Sequence, residues 1–425
     1  MQSFKLLLLF TLLSFQTYSQ SEYARDILNI LCSKEMHGRG YVNKGDSLAS
    51  EYLASEYEKL NLEKPGDTYF QSFEHNVNTF PTELSVIIDG IKLNPGSEFL
   101  IHPASAEGGL EHDVFMVNPE QLENKEKFLP KLLEQHNAFV VIDRREIEIS
   151  KEQEKLIAEL SAFVMFGEDH FLAGIIEIYP SSYKGLWSVS NQQTHRVGAK
   201  VFSNKTPKKF KKIKINAEAE FLEAYTSRNV IGKIKGKSSD STIIVSAHYD
   251  HLGRMGPGTY FPGASDNASG TAMLLSLAKH FSLNQPEFDM MFICFAGEEA
   301  GIVGSKYYVE NPIESLEKIK FVLNLDIMGT GDDGIQVVNG TVYKTEFAKL
   351  QGLNDEFSFL KQVKIRGERC NSDHCAFHEK GIPSFFSYTL GGKAEYHNIY
   401  DTAESLSLSE FDSVLDLFKQ FLAKL

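Results

Sequence analysis

Histidine and carboxylate side chains recur directly after apolar segments of this sequence. The first case is "IVSAHYDHLG" (244–253), in which His248 and Asp250 follow a run of β-branched residues. A His-x-Asp pair at the end of a strand can be ordinary loop chemistry, or a metal ligand with the carboxylate that orients it. The residues of the same types that follow later apolar segments are Glu298, Glu299, Asp326 and His397.

One more carboxylate, Asp266 in "GASDNASG", precedes a predicted helix whose apolar stripe runs through "TAMLLSLAKHF". Ligands of open α/β sheets bind outside the carboxyl ends of the strands, so these groups can converge on one rim. Two histidines and three carboxylates can hold two divalent ions with one bridging carboxylate. This mixed donor set suits zinc best, and manganese or cobalt would also fit.

The elements that must position these residues form an α/β pattern from about residue 226 onward. Their apolar runs do not alternate with polar residues, which is typical of strands covered on both faces by helices. The predicted strands lie in "NVIGKIKG", "STIIVSAHYD", "DMMFICFAGEE", "KFVLNLDIMG" and "GIPSFFSYT". The sequence therefore predicts a central sheet flanked by helices.

The preceding residues differ in pattern and carry no catalytic cluster. Residues 23–34 and 45–60 have the apolar spacing of amphipathic helices. Short strands with interleaved helices are predicted from about 83 to 215, in "ELSVIID", "NAFVVID", "AGIIEIY" and "GAKVFS". A chain of 425 residues exceeds the usual size of one domain. We therefore expect two domains, or one domain with a large insertion.

Composition excludes some partners and indicates export. The net charge of -14 argues against a nucleic-acid binder, and the basic run at 205–215 is typical of a solvated loop and edge strand. Residues 1–20 have the layout of a secretory signal peptide, and their apolar run is too short to span a bilayer. We expect a periplasmic or extracellular protein, without stable membrane insertion. In such a compartment Cys370 and Cys375 can close a small disulfide loop, with two free thiols as the alternative.

Six blocks, in order, resemble the motifs of the co-catalytic di-zinc aminopeptidases of the bacterial leucyl aminopeptidase and glutamate carboxypeptidase family. They are "SAHYDHLG", "GASDNASG", "AGEEAGIVGS", "LNLDIMG", "SDHCAFHEKGIP" and "YHNIYDT". The resemblance is strong over 226–405 and implies the zinc exopeptidase fold, a mixed central sheet flanked by helices. The family often carries a protease-associated domain, which would be a smaller, β-rich α+β insertion. The implied division is signal peptide 1–20, catalytic domain 21–94 and 206–425, and insertion 95–205.

The resemblance also implies residue roles. His248 and Asp326 would bind one zinc ion, Glu299 and His397 the other, and Asp266 both. Asp250 would accept the imidazole N–H of His248, and Glu298 would be the general base. Tyr396 would donate to the developing oxyanion, with simple aromatic packing as the alternative. The family also holds the peptide bond after the bridging aspartate in the cis form, which is expected for Asp266–Asn267.

The implied function is a secreted exopeptidase that hydrolyses the amino-terminal bond of peptides, with an apolar first residue preferred. The expected partners are peptides with a free amino terminus. A glutaminyl cyclase-like transferase, which uses one zinc, and a dipeptide-cleaving carboxypeptidase remain alternatives on similar folds. A binding module that has lost its ligands is disfavoured, since all five ligand-type residues are present.

Overall fold

The computed structural model describes residues 20–425. The expected signal peptide lies outside the described residues except for Gln20, which begins the first helix. Within the described range, no helix combines the length and the apolar character needed to cross a membrane.

The described chain contains strands and helices in the following order. The strands are β1 (Phe70–Thr79), β2 (Ser85–Ile88), β3 (Ile91–Leu93), β4 (Phe99–Ile101), β5 (Glu111–Val117), β6 (Ala138–Asp143), β7 (Gly174–Ile178), β8 (Val197–Val201), β9 (Lys212–Asn216), β10 (Glu220–Ile234), β11 (Ser238–His248), β12 (Arg254–Met255), β13 (Thr259–Tyr260), β14 (Phe288–Phe295), β15 (Ile319–Leu325), β16 (Gly334–Val338), β17 (Val363–Ile365) and β18 (Ser384–Leu390). The helices are α1 (Gln20–Leu31), α2 (Gly45–Lys59), α3 (Pro119–Leu122), α4 (Lys125–Leu133), α5 (Lys151–Phe166), α6 (Ser269–Leu283), α7 (Val303–Glu310), α8 (Lys344–Phe357), α9 (His374–Glu379) and α10 (Phe411–Ala423).

The part of the chain that contains the candidate ligands is built on a mixed sheet with strand order β1-β10-β14-β11-β15-β18-β16-β17. The four central strands β14, β11, β15 and β18 are parallel, whereas β10 and β16 run antiparallel to their neighbours β14 and β18. Parallel strands end at one edge of the sheet, so the residues that follow them can meet there.

Helices cover both faces of this sheet, which explains the unbroken apolar runs. Met290, Phe292 and Cys294 of β14 pack in the cluster that includes α1, α2, α6 and α10. Met291, Ile293 and Phe295 alternate with them and pack on the other face with residues of α7 and α9. Because side chains alternate across a strand, both sets must be apolar. The predicted fold class, a mixed central sheet flanked by helices with an inserted domain, is confirmed.

A second sheet of the same strand number has the order β3-β2-β9-β5-β6-β7-β8-β4. Its strands β5 to β8 are parallel, and α4 and α5 pack on one face through a separate apolar cluster. The sheet reaches from residue 85 to residue 216, so it extends beyond the predicted insertion 95–205 at both ends. The predicted stretch of short strands, from about 83 to 215, has nearly the same bounds as this sheet, whereas the bounds implied by the resemblance are narrower. We propose that the insertion runs from about residue 80 to residue 219.

Both ends of this insertion leave the catalytic sheet at the same place. Strands β1 and β10 pair antiparallel from Phe70–Val230 to Thr79–Glu220, with one irregularity at 75–77. Thr79 and Glu220 are thus neighbours at the open end of a long hairpin, and the second sheet is built between them.

Candidate metal centre

The sheet edge collects the polar residues that follow β11, β14 and β15. His248 is the last residue of β11, Asp326 directly follows β15, and Glu298 and Glu299 come three and four residues after β14. These strands are parallel neighbours, so their ends share one edge. His248 and Asp326 are buried there, at 1% and 6% exposure.

Asp266 and His397 reach the same point from two loops. Asp266 lies in the turn 264–268 that leads into α6, and its peptide bond to Asn267 is cis, as expected. His397 follows β18 and has a left-handed backbone conformation, with φ of 50°. Its side chain is 12% exposed.

Asp266 lies between the two histidines and presents one oxygen to each. Its Oδ1 is 3.2 Å from His248 Nε2, and its Oδ2 is 2.9 Å from His397 Nε2. On the outer sides, Asp326 Oδ2 is 3.5 Å from His248 Nε2, and Glu299 Oε1 is 3.3 Å from His397 Nε2. The five residues thus form two adjacent groups that share one carboxylate.

The donor atoms fit metal binding. Among the described residues, the buried atoms His248 Nε2, Asp266 Oδ1 and Asp326 Oδ1 have no hydrogen-bond partner. Buried polar atoms are normally paired, so atoms that converge without partners are suited to a cation between them. Ligand-type atoms of His248, Glu298 and Asp326 all lie within 4.8 Å of one another, as do those of His251, Asp266 and Glu299.

Charge supports the same interpretation. Seven carboxyl groups lie in this cluster: Asp250, Asp266, Glu298, Glu299, Asp326, Asp373 and Asp401. Burial lowers the pKa of His397, but its contacts with Asp266 and Glu299 outweigh burial and raise this pKa to about 11. His248, whose pKa is also raised, and His397 thus serve as the positive charges of the cluster, a role that divalent ions would take over with release of protons.

His251 is a group that the sequence interpretation missed. It is fully buried, and its Nδ1 lies 2.8 Å from Glu299 Oε1. Burial and Asp266 raise the pKa of Glu299, yet hydrogen bonds from His251 and His397 hold it at about 2. His251 therefore keeps Glu299 ionised and oriented. The only signal in the sequence was its position three residues after His248.

The contacts of Asp250 differ from the prediction. His248 Nδ1 lies 3.2 Å from the backbone carbonyl of Asp250, whereas the carboxylate Oδ1 is 3.8 Å away. The carboxylate accepts the backbone N–H groups of Glu298 (3.1 Å) and Glu299 (3.3 Å). In the turn after β14 these two N–H groups have no backbone acceptor. The buried carboxylate of Asp250 accepts their hydrogen bonds instead. Asp250 therefore holds the two glutamates in place.

Asp401 supports the bridging carboxylate in the same way. Its carboxylate accepts the backbone N–H groups of Ser265 (2.8 Å) and Asp266 (3.2 Å). Burial raises the pKa of Asp401 to about 7, and the same cause raises that of Asp250 to about 7. Two buried carboxylates thus fix the backbone on either side of the cluster.

The turn at Asp266 is held by further hydrogen bonds. Asn267 donates to the carbonyl of Leu325 and accepts from the N–H groups of Gly270 and Ile327. The buried Arg39 donates only to backbone carbonyls, which belong to Leu31, Tyr249, Pro262 and Gly263. Arg39 therefore ties the end of β11 to the segment that precedes Asp266.

A buried chain of hydrogen bonds orients Asp326. Ser246 donates to Asn324, Asn324 to Ser372, and Ser372 to Asp326 Oδ2, with distances of 2.8, 2.9 and 3.0 Å. Ser372 lies inside the ring closed by the disulfide Cys370–Cys375, which forms as expected. The disulfide thus restrains the loop that supplies this hydroxyl group.

Two aromatic predictions have different outcomes. Tyr396 is 43% exposed and stacks on the His397 ring, with 3.9 Å between centroids. Its role as a hydrogen-bond donor to the oxyanion stays a prediction. Phe377, an apolar residue of the block "SDHCAFHEKGIP" and so a candidate for a wall of the substrate pocket, is fully buried and packs against Phe295 and Tyr308. It belongs to the core.

Sequence comparison agrees with this geometry. Residues 229–422 match the model of Peptidase family M28. We call this segment, which is less than half of the chain, the M28 segment. The M28 segment contains every predicted ligand, and the resemblance read from the six blocks is confirmed.

The curated relatives match mainly over the M28 segment. Aminopeptidase YwaD of Bacillus subtilis (strain 168) is 30% identical over 208 residues, which cover 45% of this chain and 43% of the relative. A probable leucine aminopeptidase of Trichophyton verrucosum is 30% identical over 178 residues, 39% of this chain and 47% of the relative. The matches thus span less than half of the length of these relatives.

Solved structures share the fold over nearly the whole chain, including the part that forms the second sheet. BSAP, a zinc aminopeptidase from Bacillus subtilis, superposes with a TM-score of 0.71 at 19% identity, covering 95% of this chain and 94% of that one. A peptidase M28 precursor from Shewanella amazonensis gives 0.69 at 17% identity, covering 96% and 93%. An M28 segment together with an inserted domain is therefore a known architecture.

Proposed function

We propose that this protein is a di-zinc aminopeptidase that removes residues from the amino terminus of peptides. The observation that carries the proposal is the position of Asp266, with one carboxylate oxygen at His248 and the other at His397. A carboxylate between two such groups is suited to bridging two ions. The M28 family and the aminopeptidases among its relatives support the reaction class.

His248 and Asp326 would hold one ion, Glu299 and His397 the other, and Asp266 both. The imidazole and carboxylate donors favour zinc, with manganese or cobalt as possible substitutes. When bound, two such ions lower the pKa of a shared water and polarise the scissile carbonyl. The supports described above, Asp250, Asp401 and Ser372, keep the donor atoms of the chain fixed before substrate binds.

Glu298 would be the general base. Burial raises its pKa well above the usual range, and the nearby carboxylates Glu299 and Asp373 add to the effect. A carboxylate with a raised pKa is better able to take the proton of the attacking water and return it to the leaving amine. Tyr396, at the exposed rim beside His397, would donate to the developing oxyanion.

The charge of the site favours substrates with a free amino group. Glu298 and Asp373 are acidic groups in addition to the five predicted ligands, so the surroundings of the two ions are rich in carboxyl groups. A substrate ammonium group is the complementary partner. A carboxypeptidase would need a cation for the terminal carboxylate, and the buried Arg39 uses four of its five N–H donors on backbone carbonyls.

Metal content and a substrate panel test the proposal together. The purified protein should contain two zinc ions per chain, lose activity with a chelator and regain it with zinc or cobalt. It should cleave leucyl and phenylalanyl nitroanilides and leave amino-blocked peptides intact. One ion per chain with cyclisation of amino-terminal glutamine would indicate a cyclase instead. Release of carboxy-terminal dipeptides from blocked peptides would indicate a carboxypeptidase.

The two adjacent glutamates provide a matched pair of variants. Glu298→Gln should retain both ions while turnover falls by roughly 10²–10⁴-fold, the scale of general acid–base catalysis. Glu299→Gln should lose an ion, because the substitution removes a ligand charge. The reverse result, with metal lost only in Glu298→Gln, would mean that the two roles are exchanged.

The signal-like residues 1–20 support export, so we propose a periplasmic or extracellular enzyme. Amino-terminal sequencing of the protein recovered outside the cytoplasm should begin near residue 20 or 21. A product that keeps Met1 and stays in the cytoplasm would contradict this assignment.

A further inference from the structure

A segment of the inserted domain reaches the rim of the metal centre. Trp187 and His397 make two hydrogen bonds: the Trp187 backbone N–H donates to the His397 carbonyl at 3.0 Å, and the His397 side-chain Nδ1 lies 2.9 Å from the Trp187 carbonyl. A carbonyl can only accept a hydrogen bond, so Nδ1 must carry a proton. This leaves Nε2 as the atom that can face an ion, since a histidine binds metal through its unprotonated nitrogen.

The Trp187 carbonyl is held in place by its own side chain. The indole Nε1 donates to the carbonyl of Ile101 in β4 at 2.9 Å. The indole ring also stacks on Phe261 of the catalytic domain, with 4.8 Å between centroids and 24° between planes. Trp187 is 6% exposed and Phe261 is fully buried. The residue is therefore fixed from both domains at once.

A second contact joins the same two segments. Lys184 pairs with Glu395, and the other oxygen of Glu395 accepts from Asn398 Nδ2 at 3.1 Å. Contacts on both sides of His397 hold a loop in which that residue has φ of 50°, a left-handed conformation that is uncommon outside glycine, although histidine adopts it more often than most residues. We call these contacts, made by Lys184 and Trp187 with 395–398, the interdomain clasp.

We propose that the inserted domain is part of the metal centre, and that Trp187 is a positioning residue for His397. This inference rests on the proposed metal centre. It assigns the clasp to one ion only: the ion between Glu299 and His397 depends on it. The other ion is held by His248 and Asp326, which the clasp does not contact, and shares only the bridging Asp266 with the ion at His397.

Zinc titration of the metal-free, full-length protein against a chromophoric chelator tests this. Trp187→Ala keeps the backbone carbonyl but removes the side-chain contacts that hold it, so it should weaken one of the two ions by up to roughly 10–100-fold, the effect of losing the partner of a metal-bound histidine, and affect the other much less. Trp187→Phe keeps an aromatic ring against Phe261 and loses the Nε1 donor, so it should recover most of the affinity. Tyr183→Ala is the control, because Tyr183 stacks on Tyr179 within the insertion and does not contact His397.

The sequence offers a second measurement that does not depend on activity. Trp187 is the chain's single tryptophan, so its fluorescence reports on the clasp alone. In the wild-type protein the emission should change when the ion at His397 binds, whether that ion is the weaker or the stronger of the two. Binding of the other ion should leave the emission unchanged. The same ion should be the one weakened in Trp187→Ala.

The outcomes separate this inference from the proposed function. Wild-type affinity for both ions in Trp187→Ala, or equal weakening of both ions in a variant that keeps its circular dichroism spectrum, overturns the clasp proposal and leaves the enzyme assignment intact. Two ions with a selective effect but no peptidase activity would support the clasp and overturn the proposed function. If Trp187→Ala does not fold, Trp187→Phe decides: a selective loss of roughly 2–10-fold, the effect of one hydrogen bond, supports the clasp, and no loss overturns it.

Discussion

Replacement of Asp250 by asparagine isolates the support of the two glutamates from the ligands themselves. The Asp250 carboxylate accepts the backbone N–H groups of Glu298 and Glu299, and it is fully buried. An amide of the same shape has one oxygen, so it can keep one of these hydrogen bonds and turns an NH₂ group toward the other donor. We therefore expect the turn that carries both glutamates to shift without loss of the fold.

The magnitude follows from one lost hydrogen bond to a charged acceptor. Such a bond contributes ~1.5–3 kcal/mol. Since about 1.4 kcal/mol corresponds to a factor of ten, zinc affinity and kcat/KM should each fall by roughly 10–150-fold. The stability of the metal-free protein should change little, because burial raises the pKa of Asp250 to about 7, and removal of this unfavourable charge opposes the lost hydrogen bond.

Zinc competition with a chelator, steady-state kinetics and thermal unfolding of the metal-free variant measure the three quantities. Asp401→Asn is the matched comparison, because Asp401 accepts two backbone N–H groups at Ser265 and Asp266 in the same manner. Zinc affinity and kcat/KM of Asp250→Asn within threefold of wild type would refute the reasoning. So would a loss of affinity fully explained by unfolding of the metal-free variant.

Two further predictions concern stability. Arg39→Met should lower the free energy of unfolding by ~3–5 kcal/mol in urea titrations, because four buried carbonyls lose their donor; a loss under ~1 kcal/mol would contradict this role. Burial, with a smaller effect of Lys200, lowers the pKa of His102 in the insertion from 6.5 to about 4. Stability should therefore be complete above pH 6.5 and fall by ~3 kcal/mol as the pH drops toward 4, since the unfolded chain binds the proton first. His102→Gln should abolish that part of the pH dependence of thermal unfolding, and an unchanged profile would exclude His102 as its source.

The sequence predicted which residues lie at the sheet edge, because buried strands give unbroken apolar runs whose ends are visible in the sequence. Unbroken apolar runs identified β11, β14 and β15, and the first polar residues after them are His248, Glu298 and Asp326. Helices α1 and α2 were predicted within about three residues, since their apolar spacing is regular. The local sequence pattern was sufficient to place a residue wherever its position depends on one strand or one helix alone.

The sequence did not predict contacts that depend on how loops curve. His251 and Asp401 stand close to predicted ligands in the chain, yet nothing in their spacing shows that one faces Glu299 and the other the turn at Asp266. The acceptor of the His248 proton was assigned to the wrong group of Asp250 for the same reason. The pairing of Trp187 with His397 joins residues 210 apart, and no local pattern predicts such a contact.

The hairpin of β1 and β10 has a consequence for the history of this architecture. Thr79 and Glu220 face each other across the ladder, so the chain leaves and re-enters the catalytic domain at points about 5 Å apart. A short turn at this place would close the hairpin, which means that one exchange at the gene level can remove, replace or lengthen the whole intervening module while the register of the sheet is kept. The fold would accept any replacement module whose first and last residues lie close together. To keep the reactivity of the original, it would also have to present a backbone carbonyl to His397.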